Sequence, residues 1–235
     1  MTRFILVRHA QTVENNSSRF SGRIDSKVDE VGTSQIEHLT EHLIELSKLY
    51  DIDRIYITPT SRTRTTIAGI ADYLGMELIE SEAFLEIDFG KMDYMTFDEI
   101  VNLYPEEYEK LLKEGNFYKF PDGESLVDSY NRVAEEIDSI IEEMENKKSI
   151  QSYTETSKIN SESSKSYIEI SKESMDKTKT VLICAHGGSI RNIISYLMSD
   201  THETHWNYRI DNASTSIIEV KDGFSVMTML NNKAY

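Results

Sequence analysis

Phe4-Ile5-Leu6-Val7-Arg8-His9-Ala10-Gln11-Thr12 is the stretch from which the fold of this chain can be read. Its apolar run predicts a short strand, Phe4–Val7, buried on both faces, that leads straight into an Arg-His pair. The arrangement recurs. Thr180–Ala185 runs into His186-Gly187-Gly188, Arg54–Thr58 runs into Pro59-Thr60-Ser61-Arg62, and a further short strand is predicted at Glu77–Ile79. Between them apolar positions repeat with the helical period: Gly32–Tyr50 (Ile36, Leu39, Leu43, Leu46), Ser61–Leu74, Phe97–Leu112 with an interruption at Pro105, Ser125–Met144 and Ser189–Met198. Short strands alternating with helices of this length require parallel crossovers. The expected class is α/β, a three-layer sandwich with a mostly parallel central sheet, helices on both faces and a small helical cap from Pro105 to Phe120. Thr215–Val220, an Asp222-Gly223 turn and Phe224–Met229 predict a terminal hairpin.

A chain of 235 residues buries a sizeable core as one domain over residues 1–235. Its 25 Lys and Arg against 41 Asp and Glu leave a net charge of −16, which speaks against nucleic acid or an anionic membrane as a partner. A small positive pocket can still lie inside such a field. Cys184 is the only cysteine and sits in an apolar strand, so it is expected to be a buried, inert thiol. A single thiol excludes an internal disulfide framework and a multi-Cys metal site, and fits a reducing compartment. The first strand begins without an apolar leader, and no stretch reaches the apolar length of a membrane helix. The expectation is a soluble cytoplasmic protein, monomer or homodimer.

Residues 149–179 break the pattern. Nine of these 31 residues are Ser, none is Gly or Pro, and a seven-residue echo runs through Glu155…Lys158, Glu162…Lys165 and Glu169…Lys172. The repeated positions are polar, so a self-sufficient coiled coil is not expected. The segment reads as a solvated, flexible insertion that interrupts the domain and leaves about 204 residues for the fold.

Strand ends in open α/β sheets are where ligands bind, and three of them here carry two His and two Arg. Planar guanidiniums suit bidentate binding of phosphate oxygens, and His186-Gly187-Gly188 adds backbone N–H groups at a helix start. An imidazole in such a pocket can attack phosphorus and carry the phosphoryl group covalently. The reaction also needs a proton donor for the leaving oxygen, and Glu86, just after the strand at 77–79, is the candidate. Taken singly each residue has an ordinary structural explanation. Their joint order and placement do not.

In that order of motifs the chain resembles the histidine phosphatase superfamily, the phosphoglycerate mutase-like fold, over nearly its whole length outside the Ser-rich segment. The resemblance rests on Arg8-His9, Asn15, Gly22 and Asp25, Pro59 and Arg62, Glu86 with Phe89-Gly90, Gly123-Glu124-Ser125, His186-Gly187-Gly188 and Asn212-Ala213-Ser214. It implies a phosphohistidine formed on His9, with Glu86 as the proton donor. Arg8, Asn15, Arg62 and His186 would hold the phosphoryl oxygens, Gly22 and Gly187 would contribute to substrate binding, and no metal or other cofactor is called for. Departures from the family pattern are Ala10 for Gly, Gln11 for Glu, Thr58 for Ser, and Met92-Asp93 for Trp-Glu. Ala10 lacks the conformational freedom of Gly, so the loop after His9 is expected to sit differently.

Within the resemblance, a mutase acting on phosphoglycerate would offer extra cations in the cap, and the cap here carries Lys110, Lys113 and Lys119 but no Arg. The favoured expectation is a phosphomonoesterase acting on a small phosphorylated metabolite, most similar to broad-specificity and α-ribazole-type phosphatases. The alternatives are a 2,3-bisphosphoglycerate-dependent phosphoglycerate mutase and a non-catalytic phosphate-recognising module. A stripe of Tyr94, Tyr104, Tyr108 and Tyr118 reads as amphipathic packing in preference to a pocket wall. His202 and His205 read as solvated surface, and His38 with His42 lack the pattern of a metal site.

Overall fold

Alternate residues of the first strand point into two different cores. In β1 (Thr2–Arg8), Phe4 and Leu6 join one apolar cluster and Ile5 and Val7 the other, all of them fully or almost fully buried. The computed structural model describes residues 1–146 and 178–234. Its other strands are β2 (Ile52–Ile57), β3 (Leu78–Glu80), β4 (Lys179–Ala185), β5 (Ser214–Lys221) and β6 (Phe224–Lys233). They form one sheet in the order β3-β2-β4-β1-β5-β6. The first four are mutually parallel, while β5 and β6 add an antiparallel edge.

The helices are α1 (Val13–Asn16), α2 (Glu30–Leu49), α3 (Ser61–Leu74), α4 (Phe97–Leu103), α5 (Pro105–Glu114), α6 (Leu126–Asn146) and α7 (Gly187–Ser199). Leu39, Leu43 and Leu46 of α2 pack with Ile67 and Ile70 of α3 on the Ile5 and Val7 face. Val133, Ile137 and Ile140 of α6 pack with Ile190, Ile193 and Ile194 of α7 on the Phe4 and Leu6 face. This is the α/β three-layer arrangement expected from the alternation of elements. Cys184 is buried in it, and burial pushes its thiol up, away from the reactive thiolate.

The differences from expectation are local. Pro105 starts α5 at its first turn instead of merely interrupting a longer helix, since a missing N–H costs nothing there. The expected hairpin is present: Asp222 and Gly223 both adopt positive φ, 52° and 76°, which matches a tight turn to the twist of β5 and β6, and only the strands run further than expected, to Lys233 in β6. The Ser-rich segment lies outside the described residues except at its C-terminal boundary, which is corrected: Lys179 is the first residue of β4. It pairs with Thr2, and its Nζ reaches Asp53 at 2.8 Å. A long side chain with an ion-pair partner at a strand end satisfies a position that composition alone assigns to the insertion. No described helix is long and apolar enough to cross a membrane.

Candidate active site

Parallel strands β1, β2 and β4 all point the same way, so Arg8-His9, Thr58 and His186 emerge together at their C-terminal ends. His9 is held by its own backbone: its N–H donates to the Ala185 carbonyl at 3.0 Å, and its carbonyl accepts from Ala213 N and Asn212 Nδ2. Its Nδ1 lies 2.8 Å from the Ala10 carbonyl. A carbonyl only accepts, so Nδ1 carries the proton and the lone pair stands on Nε2. Burial, then the positive charges of Arg62 and Arg8, hold this imidazole well below the ordinary His range, so it is neutral.

His186 is the N-cap residue of α7, and its ring centroid lies 5.2 Å from that of His9. Arg62 Nε donates to His186 Nδ1 at 3.1 Å, which puts the His186 proton on Nε2, 3.0 Å from Thr58 Oγ1. Burial and then the Arg62 charge lower this second imidazole as well. Arg62 itself is 0% exposed. Besides His186 it donates to the carbonyls of Ile24, Gly22 and Ser21, with Glu86, Asp25, Asp93 and Glu14 supporting its charge against burial. Most of its donors are thus committed to the 21–24 loop, and its contribution to an anion is chiefly electrostatic.

The stretch 186–188 organises the rest. The Arg8 guanidinium covers Gly187, where a Cβ would stand 3.5 Å from Arg8 Cζ, and Arg8 Nη1 donates to the Ile210 carbonyl at 2.7 Å. Glu86 Oε2 accepts from Gly188 N at 2.9 Å and Oε1 from Ile87 N at 3.0 Å. A Cβ on Gly188 would meet Glu86 Oε1 at 2.1 Å, so only glycine lets the carboxyl group approach. The backbone before Glu86 is fixed by Ser189 and Arg132, both donating to the Leu85 carbonyl.

Asn15, at the end of α1, turns its Oδ1 to Asn212 Nδ2 and Thr12 N, which leaves Nδ2 as the end that can donate to an anion. Gly22, expected among the substrate-binding residues, has both backbone groups engaged: its N–H donates to Asp93 at 2.7 Å and its carbonyl accepts from Arg62. A Cβ there would meet the Ile87 carbonyl at 2.3 Å, so its place is set by close packing. Ala10 needs no positive φ and is fully buried, with its N–H donated to Thr66 Oγ1 at 2.9 Å, so the expected shift of the loop finds no cause in its conformation. Among the described residues no group of three or more His, Cys, Asp or Glu is placed to hold a metal ion.

The sequence model of the histidine phosphatase superfamily (branch 1) matches residues 4–152 and 164–233. The chain belongs to this superfamily. Phosphoserine phosphatase 1 of Hydrogenobacter thermophilus is 29% identical over 231 residues, 98% of this chain and 92% of that protein. The α-ribazole phosphatase from Shigella flexneri shares the fold with a TM-score of 0.74 at 18% identity, over 98% of this chain and 96% of that one. The phosphoserine phosphatase from Entamoeba histolytica, solved with phosphoserine, does so with a TM-score of 0.73 at 21% identity, over 99% and 98%. This histidine phosphatase is a phosphomonoesterase.

A cavity of about 550 Å³ opens beside Glu86 and Gly188 of this histidine phosphatase and is walled by the cap and by the turn at His202–Asn207. Of the Tyr stripe only Tyr118 borders it, while Tyr94 is half exposed. His205 corrects the surface reading. It is 1% exposed, with Nδ1 2.7 Å from Asn192 Oδ1, because Asn192 on α7 supplies the buried partner that a polar-looking His-Glu-Thr-His run does not advertise. Arg191 in this wall and Arg132 behind Glu86 escape sequence reasoning, since each is one cation on a long helix with no spacing that marks it.

Burial, then the neighbouring Arg191, lowers the His205 imidazole to about 3. A base that resists protonation only when folded lends stability above its unfolded pKa, and that stability is lost as pH falls below about 6.5, by up to about 1.4 kcal/mol per pH unit. His205→Asn keeps a donor for Asn192 and removes the titration. Chemical denaturation at pH 7, 6 and 5 is expected to show a shallower loss of stability in this variant than in the parent; equal slopes would contradict a neutral His205.

Proposed function

We propose that His9 Nε2 is the nucleophile of this phosphomonoesterase. The observation that carries the reading is the hydrogen bond from His9 Nδ1 to the Ala10 carbonyl, which leaves a lone pair on Nε2 of a neutral imidazole among Arg8, Arg62 and His186. Nε2 attacks phosphorus, the phosphorus–oxygen bond to the alcohol breaks, and Glu86 gives its proton to the departing oxygen. A water molecule then attacks the phosphohistidine, Glu86 takes a proton from it, the phosphorus–nitrogen bond breaks, and inorganic phosphate leaves with His9 restored. Arg8, Arg62, Asn15 Nδ2, His186 and the amides at the start of α7, Gly187 included, offset the charge on the phosphoryl oxygens.

The substrate is a small phosphorylated metabolite. A mutase acting on a phosphoglycerate needs cations for the second phosphate and the carboxylate, and Arg191 is the one cation among the residues lining the cavity. Lys110 and Lys119 of the cap are paired instead with Glu107 and Asp128. The lone buried thiol suits the cytoplasm, and the protein works as a monomer or homodimer. Incubation with 4-nitrophenyl phosphate should release nitrophenol and leave an acid-labile phosphoryl label on the protein after rapid quench. Phosphate binding with neither turnover nor label would favour a recognition module.

A further inference from the structure

The cavity beside Glu86 has room for far more than a phosphoryl group, and its chemistry is uneven. Phe20, Phe89 and Phe120 form one wall, with Phe89 centred 4.7 Å from Phe20 and 5.0 Å, edge-on, from Phe120. Such interlocked rings present a rigid apolar surface. Trp206 stands at the rim, 67% exposed, and Arg191 lies 5.5 Å from its ring centroid with Nε donated to the Tyr208 carbonyl at 2.9 Å. His205 borders the same space. Asn192 presents its carbonyl to His205 Nδ1 and its amide to Ser129, so the His205 proton is on Nδ1 and Nε2 is a pure acceptor. No described residue donates to that Nε2.

We propose that the alcohol half of the substrate is an apolar ring system seated against this aromatic wall and carrying a neutral hydrogen-bond donor, such as a hydroxyl, for His205 Nε2. The inference rests on the assignment of His9 and Glu86 above and extends it to the leaving group. A leaving group with ammonium and carboxylate charges loses hydration against three phenyl rings and regains little. A hydroxyl that meets an acceptor facing the apolar cavity is selected over its absence, because the analogue leaves that acceptor without a donor.

The test compares ethyl phosphate, phosphoserine, 2-phenylethyl phosphate and 2-(4-hydroxyphenyl)ethyl phosphate, all esters of primary alcohols. On the parent protein, kcat/KM should rise about tenfold or more from ethyl to 2-phenylethyl phosphate and again, about fivefold, with the ring hydroxyl, and phosphoserine should fall below 2-phenylethyl phosphate. Trp206→Ala should narrow the gap between 2-phenylethyl and ethyl phosphate, and His205→Asn should erase the gain from the hydroxyl alone. The exposed position of Trp206 makes the first variant safe for folding. Turnover with phosphoserine or ethyl phosphate equal to or above the ring esters overturns the inference and leaves hydrolysis at His9 standing. No turnover of any ester overturns both.

Discussion

His9→Ala lowers the turnover of 4-nitrophenyl phosphate by about 10⁴-fold or more, with a melting temperature within a few degrees of the parent. The kinetic loss follows from the absence of any second lone pair in position: His186 Nδ1 already accepts from Arg62, and its Nε2 carries a proton towards Thr58. The small thermal effect follows from what the ring does for the fold. Its one hydrogen bond goes to the adjacent residue, and His9 is a buried base that the folded state must keep neutral. Calorimetry together with a stopped-time assay checks both halves. Retention of more than about a hundredth of the parent rate would remove His9 from the role of nucleophile.

Arg62→Met reverses the balance and damages activity and stability together. The guanidinium is the shared partner of three loop carbonyls and of His186 Nδ1, and its charge faces Glu86, Asp25, Asp93 and Glu14. Removing one member of a buried, hydrogen-bonded charge cluster leaves the others desolvated without compensation, at a cost of about 3–5 kcal/mol. For a domain of this size that corresponds to a fall of roughly 10 °C or more in melting temperature. Urea denaturation reads the stability loss and the nitrophenol assay the rate. Arg62→Lys keeps the charge but lacks the fork of donors, so it should recover only part of either. A variant as stable as the parent would show that the 21–24 loop is held by other contacts.

Strand β1 shows why so much of this fold is legible in one dimension. Its residues are apolar on both faces because helices cover both, and the change from apolar to Arg-His marks the place where the strand leaves the sheet. His186-Gly187-Gly188 is legible for the same reason, with the glycines recording how closely Arg8 and Glu86 approach α7. Arg62 is readable as a cation at a helix start, but its burial and its saturation by loop carbonyls are not, since they depend on Ser21–Ile24 folding over it from another segment. His205 is the plainest misreading. Among polar neighbours a histidine looks solvated, and only the packing of the His202–Asn207 turn against α7 reveals that Asn192 satisfies it. Lys179 errs in the other direction, a charged residue that a cross-strand carboxylate admits to the sheet.

The polarity of β4 has a practical corollary. Its far end leads into His186 of the candidate site, whereas its near end, at Lys179, pairs with Thr2 and Asp53 some seven residues away, or about 23 Å at the rise of an extended chain. α6 finishes beside that near end, with Glu143 reaching Arg54 at the start of β2. The end of α6 and the start of β4 therefore both lie at the end of the strands opposite His186, and lengthening a connection between two such points costs only a logarithmic increment of closure entropy. A docking peptide or fluorophore spliced between those two points is expected to leave hydrolysis of 4-nitrophenyl phosphate unchanged, because the candidate site lies at the opposite end of the parallel strands.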